Sequence, residues 1–305
     1  MGWKAEIEAA ATRIAGHVRV TPVMRAALPG TPELDLKFEH CQHTGSFKPR
    51  GAFNALLSGP VPEAGVVAAS GGNHGAAVAY AAKSLGVPAR IFVPEIAGPA
   101  KIALIRDQGV EPEVVPGVYA NAAARAAALQ QETGAMQIHA YDAPATVAGQ
   151  GTLMREWEAQ GLQADTVLIA VGGGGLIAGA LGWLKGSRKL VAVEPARAPT
   201  LHTALREGPE AEVAPSGIAA NALGASRIGK ISYDLAREYG VAPVLVSDAS
   251  IAEAQRLIWK GLRQLVEPAG AAAMAALTSG AYTPEPGEKV AVLLCGANPA
   301  PDPLG

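Results

Sequence analysis

The sequence has few of the residues that mark several classes of protein. Only two of its 305 residues are cysteines, Cys41 and Cys295, too few for a disulfide scaffold, so we expect a cytoplasmic location. The formal net charge is only -2, and the lack of a basic excess argues against a nucleic-acid or membrane partner. The first residues lack the apolar stretch of a signal peptide, and no uninterrupted apolar run reaches about 18 residues, so we expect no membrane span.

What the sequence does contain is an alternation of short apolar runs and alanine-rich stretches. Residues 66–69 precede a predicted helix at 75–86, and residues 166–171 precede another at 176–185. Strands that are apolar throughout, with helices between them, predict a parallel sheet covered on both faces. Such units are more numerous than a single nucleotide-binding half requires, which favours two α/β sub-domains.

A lysine followed by a proline lies between two such units, in the segment Thr-Gly-Ser-Phe-Lys-Pro-Arg at residues 44–50. Pro49 suits the first turn of a helix predicted at 50–57. Lys48 is then expected at a strand-to-helix junction, where a side chain can face a crevice. A buried lysine loses its proton readily and can attack a carbonyl. A solvated lysine beside a turn is the ordinary interpretation, which the neighbouring Phe47, a candidate wall for a flat ring, weakens slightly.

A second segment, here called the asparagine loop, consists of Ser70, Gly71, Gly72, Asn73 and His74. It follows an apolar strand and opens a helix. Backbone N–H groups at a helix start bind anions, and the glycines let a ligand approach closely. A tight turn capped by Asn73 explains the same residues equally well, and His74 alone is more typical of a structural histidine than of a catalyst.

A third segment, here called the glycine loop, consists of Gly172, Gly173, Gly174 and Gly175 and is followed by Leu176. Its successive N–H groups suit a phosphate. Glu194 follows about 20 residues later, as the ribose-binding acid of nicotinamide enzymes does, so that class stays open from this motif alone.

Cys295 follows the predicted strand 290–294 and precedes Gly-Ala-Asn. A thiol at the carboxyl end of a strand faces the usual ligand crevice of an open α/β sheet. A small buried hydrophobic residue is nevertheless the ordinary interpretation of an isolated cysteine.

Together, these segments resemble the fold-type II pyridoxal-phosphate (PLP) enzymes, and among them the serine/threonine dehydratase (ammonia-lyase) family, which includes the serine racemases. The resemblance runs from Thr21 to Asn298. It implies an α/β, tryptophan synthase β-like fold with two open, twisted, mostly parallel sheets flanked by helices. It also implies a large PLP-binding domain at residues 1–49 and 144–305, with a small domain at 50–143 inserted in it.

By the same resemblance, Lys48 is the catalytic residue and holds pyridoxal 5'-phosphate as a Schiff base. Phe47 packs against the pyridine ring and Asn73 hydrogen-bonds its 3-hydroxyl. The glycine loop and Leu176 cradle the phosphate, and Cys295 meets the pyridine nitrogen. The asparagine loop binds the carboxylate of the substrate.

The implied reaction is β-elimination from a β-hydroxy L-amino acid such as L-threonine or L-serine, giving a 2-oxo acid and ammonia, in a homodimer or homotetramer. Cys295 is a weak proton source for the pyridine nitrogen, so we expect elimination to outcompete reprotonation. Gly71 replaces a serine of the racemases, so we expect little racemisation. Because fold does not fix function, β-replacement by a synthase-like reaction, or amino acid racemisation, remains the alternative.

Some members of the resembled family bind a divalent cation through two acids and a backbone carbonyl. Glu194 and Ala198 match the first acid and the carbonyl, but Thr200 occupies the position of the second acid. Losing a carboxylate weakens a site for a hard cation. Glu194 and Ala198 are therefore candidate ligands for a divalent or monovalent cation that the sequence does not itself predict.

Overall fold

The structure is a computed structural model that describes residues 2–299. The strands in this part of the chain are β1 (Val23–Ala27), β2 (Glu33–Phe38), β3 (Val66–Ala69), β4 (Ala89–Pro94), β5 (Glu113–Val115), β6 (Met136–Gln137), β7 (Thr166–Ala170), β8 (Lys189–Pro195), β9 (Ala242–Val246) and β10 (Val290–Leu294). The α-helices are α1 (Trp3–Arg13), α2 (Lys48–Leu57), α3 (Asn73–Ser84), α4 (Pro99–Arg106), α5 (Tyr119–Thr133), α6 (Pro144–Ala159), α7 (Gly175–Leu184), α8 (Thr200–Glu207), α9 (Ala220–Leu223), α10 (Lys230–Tyr239), α11 (Asp248–Leu262) and α12 (Pro268–Thr278). Of the helices described, none is both long and apolar enough to cross a bilayer.

The larger sheet has six strands in the order β1-β2-β10-β7-β8-β9. Every pairing is parallel except that of β1 with β2, which is antiparallel at the edge. The central strands β7 and β10 are buried at every residue, as expected when helices cover both faces of a parallel sheet. The carboxyl ends of β7 and β10 lead into the glycine loop and Cys295, so the topology brings these two segments to one edge.

The smaller sheet has four parallel strands in the order β5-β4-β3-β6. These strands all lie between residues 50 and 143, and those of the larger sheet lie outside that range. The predicted α/β class with two mostly parallel sheets is confirmed. The domain boundaries at 49/50 and 143/144 stay a prediction, and residues 300–305 of the predicted large domain lie outside the described residues.

Two strands of the larger sheet and one helix near it differ from the sequence prediction. β1 and β2 were not among the predicted strands, although Leu34 and Leu36 are fully buried on alternate positions of β2, which is the period of a strand. The sequence after β9 predicts one helix over residues 251–266, but in the structure α11 ends at Leu262. There Arg263 adopts the left-handed conformation with φ 55°, which terminates a helix, and Pro268 begins α12.

A buried group of charges fixes the start of α2. The guanidinium of Arg50 donates from Nε to Glu39 Oε1 at 2.6 Å and from Nη2 to Glu156 Oε2 at 2.9 Å. Lys37 Nζ donates to Glu156 Oε1 at 2.5 Å. Arg50, Glu39 and Lys37 are at most 1% exposed, and buried charges are tolerated only when paired in this way. The network ties α2, the helix that carries Lys48, to β2 and α6.

Candidate active site

Lys48 lies beside Cys295 although the two are at opposite ends of the sequence. Ser46 forms an antiparallel bridge with Gly296, and the Phe47 N–H donates to the Cys295 carbonyl at 3.2 Å. The sequence placed Lys48 at a strand-to-helix junction, before a helix at 50–57. In the structure two short 3-10 helices separate β2 from Lys48, and α2 begins at Lys48 itself. Pro49 is tolerated there because an N–H in the first turn has no partner within the helix.

The amine of Lys48 is buried in the protein. Its Nζ donates to the Ala140 carbonyl at 2.9 Å and lies 5.0 Å from the centre of the Phe47 ring. Burial lowers the pKa of Lys48 to about 8, against the raising influence of Cys295 and Glu267. A larger share of the amine is therefore neutral at neutral pH than in an ordinary lysine, and the neutral amine is the form that attacks a carbonyl.

The side chain of Asn73 is held in one orientation by acceptors and donors on both sides. Its Nδ2 donates to Glu267 Oε1 at 2.6 Å. Its Oδ1 accepts from Asn298 Nδ2 at 2.9 Å, and the same nitrogen of Asn298 donates to the Thr44 carbonyl at 2.7 Å. Because that carbonyl can only accept, the orientation of Asn298 is fixed, and it fixes that of Asn73 in turn. The second N–H of Asn73 is the group that remains for a ligand.

Glu267 is a site residue that motif reasoning did not select. Burial raises the pKa of its carboxyl to about 7, against the lowering influence of Lys101, Asn73 and Lys48. The sequence showed only a glutamate before a proline, and no local pattern marked it as a partner of Asn73.

His74 is buried and its Nε2 hydrogen-bonds the Ile138 carbonyl at 2.9 Å. Burial and then the nearby Lys48 lower the pKa of His74 to about 3. The ring is therefore neutral at physiological pH and donates to that carbonyl. This is the structural role that the isolated histidine suggested. Because the His74 side chain is used in this hydrogen bond, the backbone N–H of His74 is the group that can contact a substrate.

The glycine loop presents a row of free backbone N–H donors. Within residues 2–299, the N–H groups of the four glycines and of Leu176 have no protein acceptor, whereas the carbonyls of Gly172, Gly173 and Gly174 each accept a hydrogen bond. The loop is packed too closely for side chains, because a Cβ at Gly173 would lie 2.3 Å from Tyr141 Cδ1. Gly174 has φ 92°, in the region that favours glycine. Successive free N–H groups at a helix start suit a phosphate, so the loop fits the phosphate of PLP.

Cys295 lies at the buried end of β10, 3% exposed. Its Sγ donates to the Ala269 carbonyl at 3.6 Å. Burial, and secondarily Glu267, raises the pKa of the thiol to about 12. The thiol therefore remains protonated and uncharged at neutral pH.

Glu194, a candidate cation ligand, uses its carboxylate to bind the start of α8. It accepts from the Leu201 N–H at 2.7 Å, from the His202 N–H at 2.8 Å and from Thr200 Oγ1 at 3.1 Å. The Ala198 carbonyl accepts from the Thr200 N–H at 3.1 Å. Over the described part of the chain, no group of three or more His, Cys, Asp or Glu side chains is placed to hold a metal. The cation ligands stay a prediction.

The family of this protein follows from its match to a known family model. Residues 14–296 match the family model described as pyridoxal-phosphate dependent enzyme. The chain belongs to this family of PLP-dependent enzymes. Its cofactor is therefore pyridoxal phosphate, and the nicotinamide interpretation of the glycine loop is set aside.

Individual PLP-dependent relatives narrow the class. The chain is 36% identical to the phenylserine dehydratase of Ralstonia pickettii, over 94% of the chain and 90% of that protein. It is 36% identical to the L-threonine ammonia-lyase of Geobacter sulfurreducens, over 85% of the chain and 66% of that protein. The structure of maize serine racemase superposes with a TM-score of 0.89 at 30% identity, covering 97% of this chain and 93% of that one. The protein is an enzyme of the PLP-dependent dehydratase or ammonia-lyase kind.

The lowered pKa of Lys48 predicts how fast the cofactor-free protein takes up PLP. Because only the neutral amine attacks the aldehyde, the uptake rate should rise with pH through about 8 and level off above it. The measurement is stopped-flow absorbance of PLP across a pH series, with Lys48→Ala as the control. A rate that instead keeps rising toward about 10.4, the ordinary lysine value, would contradict the assignment.

Variants of Glu267 test whether it orients Asn73. Glu267→Leu removes the acceptor and leaves a buried amide donor unsatisfied, so PLP affinity should fall roughly tenfold or more. Glu267→Gln keeps an acceptor and should stay close to wild type. Equilibrium dialysis of PLP measures both affinities. If the leucine and glutamine variants bind PLP equally well, Glu267 does not position Asn73.

Proposed function

We propose that this protein catalyses the β-elimination (dehydration and deamination) of a β-hydroxy L-amino acid, such as L-threonine or L-serine, to a 2-oxo acid and ammonia. The observation that carries the proposal is the convergence of Lys48, the oriented Asn73 and the glycine loop next to an uncharged Cys295. The names of the relatives, a phenylserine dehydratase and an L-threonine ammonia-lyase, support the same reaction class.

The residues at the site have the chemistry to hold the cofactor. Lys48 would bind PLP covalently, with Phe47 against the ring and the free N–H of Asn73 toward the 3-hydroxyl oxygen. The glycine loop and Leu176 supply N–H donors for the phosphate. PLP, when bound, delocalises the negative charge left when an α-proton is removed from an amino acid.

The side chains of the protein perform the proton transfers and the orientation. Lys48, with its lowered pKa, removes the α-proton as a general base. The asparagine loop orients the substrate carboxylate through its backbone N–H groups and Ser70. With PLP bound, Cys295 would offer the pyridine nitrogen an uncharged thiol, which would add no positive charge there. The negative charge left by proton removal would then be less stabilised, and loss of the β-hydroxyl would be favoured over reprotonation.

The lack of space around Gly71 disfavours racemisation. A Cβ at this position would lie 2.4 Å from Ala97 Cβ and 3.1 Å from Val93 Cγ1, so the loop has no room for the serine that the racemases carry there. We expect D-serine to form on the order of 100-fold more slowly than 2-oxo acid, the contribution of one well-placed acid or base. A chiral separation of the products of L-serine measures this ratio, and comparable rates would contradict the prediction.

A substrate panel tests the proposed reaction. Ammonia and 2-oxo acid are followed with L-serine, L-threonine, phenylserine and 3-hydroxyaspartate, and we expect both products from at least one of them. Parallel assays with sulfide separate elimination from β-replacement, the alternative that the shared PLP site leaves open. Absence of ammonia from every member of the panel would overturn the proposal.

The proposal includes a homodimer or homotetramer located in the cytoplasm, acting on a small amino acid rather than on nucleic acid or membrane. Light scattering of the purified holoenzyme measures the oligomeric state. A monomer at assay concentration would contradict that part of the proposal.

A further inference from the structure

Lys101 is a buried cation for which the described protein supplies no hydrogen-bond partner. It lies in α4 of the smaller sheet's layer and is 3% exposed. Its Nζ is buried and unpaired within residues 2–299. An isolated buried ammonium is strongly unfavourable unless an anion or a set of acceptors compensates it. The position therefore calls for an anionic partner.

The ammonium group of Lys101 points at the asparagine loop. A Cβ added at Gly72 would lie 3.5 Å from Lys101 Nζ and 3.4 Å from the carbonyl oxygen of Asn221 in α9. The absence of a side chain at Gly72 thus leaves Lys101 against the loop backbone. Glu267 is the nearby opposite charge, but its hydrogen bond goes to Asn73 and not to Lys101.

Backbone donors of the same loop accompany the ammonium group. In the described structure, the N–H groups of Gly71, Asn73 and His74 have no protein acceptor, while that of Gly72 donates to Ser70 Oγ at 3.2 Å. Free N–H groups at the start of α3 and a buried cation next to them form a site for a small oxyanion. The phosphate of PLP has its own donors at the glycine loop, which leaves a carboxylate as the anion for this site.

We propose that Lys101 binds the α-carboxylate of the amino acid substrate, together with the backbone N–H groups of the asparagine loop. This assignment rests on the proposed function in treating an amino acid as the ligand. It explains why a lysine is buried without a partner: the substrate provides the compensating charge. It also explains why glycine stands at position 72, since a side chain there would separate the ammonium group from the loop.

The test compares two ligands that differ only in the carboxylate. Holoenzyme is titrated with L-alanine, which has no β-leaving group, and with L-alaninamide, and the absorbance change of bound PLP gives each dissociation constant. Lys101→Met should weaken L-alanine roughly ten- to hundredfold, the loss expected for a hydrogen bond to a charged group. L-Alaninamide should change little, and Lys101→Arg should recover part of the L-alanine affinity. Lys83→Met, which alters an exposed lysine of α3, is the matched control and should match wild type.

Three results would overturn the assignment. Unchanged L-alanine binding in Lys101→Met excludes contact with the carboxylate. Equal weakening of both ligands means that Lys101 acts through the fold or through Glu267. In a parallel titration with L-aspartate, weakening of that ligand alone means that Lys101 meets a distal carboxylate instead.

The experiment remains informative if one variant or the main proposal fails. If Lys101→Met does not fold, Lys101→Gln provides the same comparison while keeping a polar end. The titration needs binding and no elimination, so absence of ammonia release would sink the proposed function while leaving the role of Lys101 testable.

Discussion

Replacing Lys48 with alanine should abolish both turnover and covalent retention of PLP. Lys48 is proposed to link the cofactor and to remove the α-proton, and its Nζ is held in the site by a hydrogen bond to the Ala140 carbonyl. Loss of a general base alone costs about 10²- to 10⁴-fold in rate, and loss of the covalent link adds to it. We therefore expect kcat to fall by on the order of 10⁴-fold or more.

Borohydride reduction separates the loss of Lys48 from a general loss of structure. Wild-type protein should retain reduced cofactor through denaturation, and Lys48→Ala should release it. Lys83→Ala is the control, since Lys83 is exposed on α3, and it should retain the cofactor and activity of wild type. Cofactor still fixed by borohydride in Lys48→Ala would show that another lysine, such as the buried Lys101, forms the link.

Arg50→Met should be the most destabilising of the simple substitutions around the site. Arg50 is 1% exposed and pairs with Glu39, which is fully buried, and with Glu156. Removing it leaves buried carboxylates uncompensated, and breaking a buried ion pair on one side costs about 3–5 kcal/mol. Because Arg50 anchors α2, we also expect PLP to be bound less tightly.

Urea unfolding of the cofactor-free protein, followed by circular dichroism, measures this loss. Arg106→Met is the control, because the Arg106–Glu111 pair lies on the surface, with more than half of each side chain exposed, and such pairs contribute at most about 1 kcal/mol. Arg50→Lys keeps the charge without the planar fork, and should fall between wild type and Arg50→Met. Equal stability of Arg50→Met and Arg106→Met would show that the network does not hold α2.

The local sequence was sufficient for features that depend on short-range chemistry. The apolar runs at residues 66–69 and 166–171 predicted buried parallel strands, because a strand covered on both faces must be apolar throughout. The structure has these strands at Val66–Ala69 and Thr166–Ala170. The glycine loop predicted an anion site from its spacing after a strand. The free N–H groups of the loop agree with that interpretation. Glycine is required there because a side chain would be strained at φ 92° at Gly174 and would clash with Tyr141 at Gly173.

The first residues of α2 show where local rules were insufficient. A residue before proline is biased away from the α-region, so the helix was expected to begin after Pro49. The bridge of Ser46 to Gly296 and the ion pairs of Arg50 instead hold Lys48 as the first residue of the helix. Tertiary contacts outweigh a local preference of this size.

By itself, the sequence predicted the α/β class and the PLP family, and it indicated the loops that we propose form the site. Only the tertiary structure decided the charge state and orientation of the groups in it. Asn73 and Glu267 are 194 residues apart in the chain, and the pKa values of Lys48, Glu267 and Cys295 depend on burial that distant segments create. Lys101 was an ordinary helical lysine in the sequence, and it became a proposed substrate ligand because folding buries its ammonium group against Gly72 without a partner.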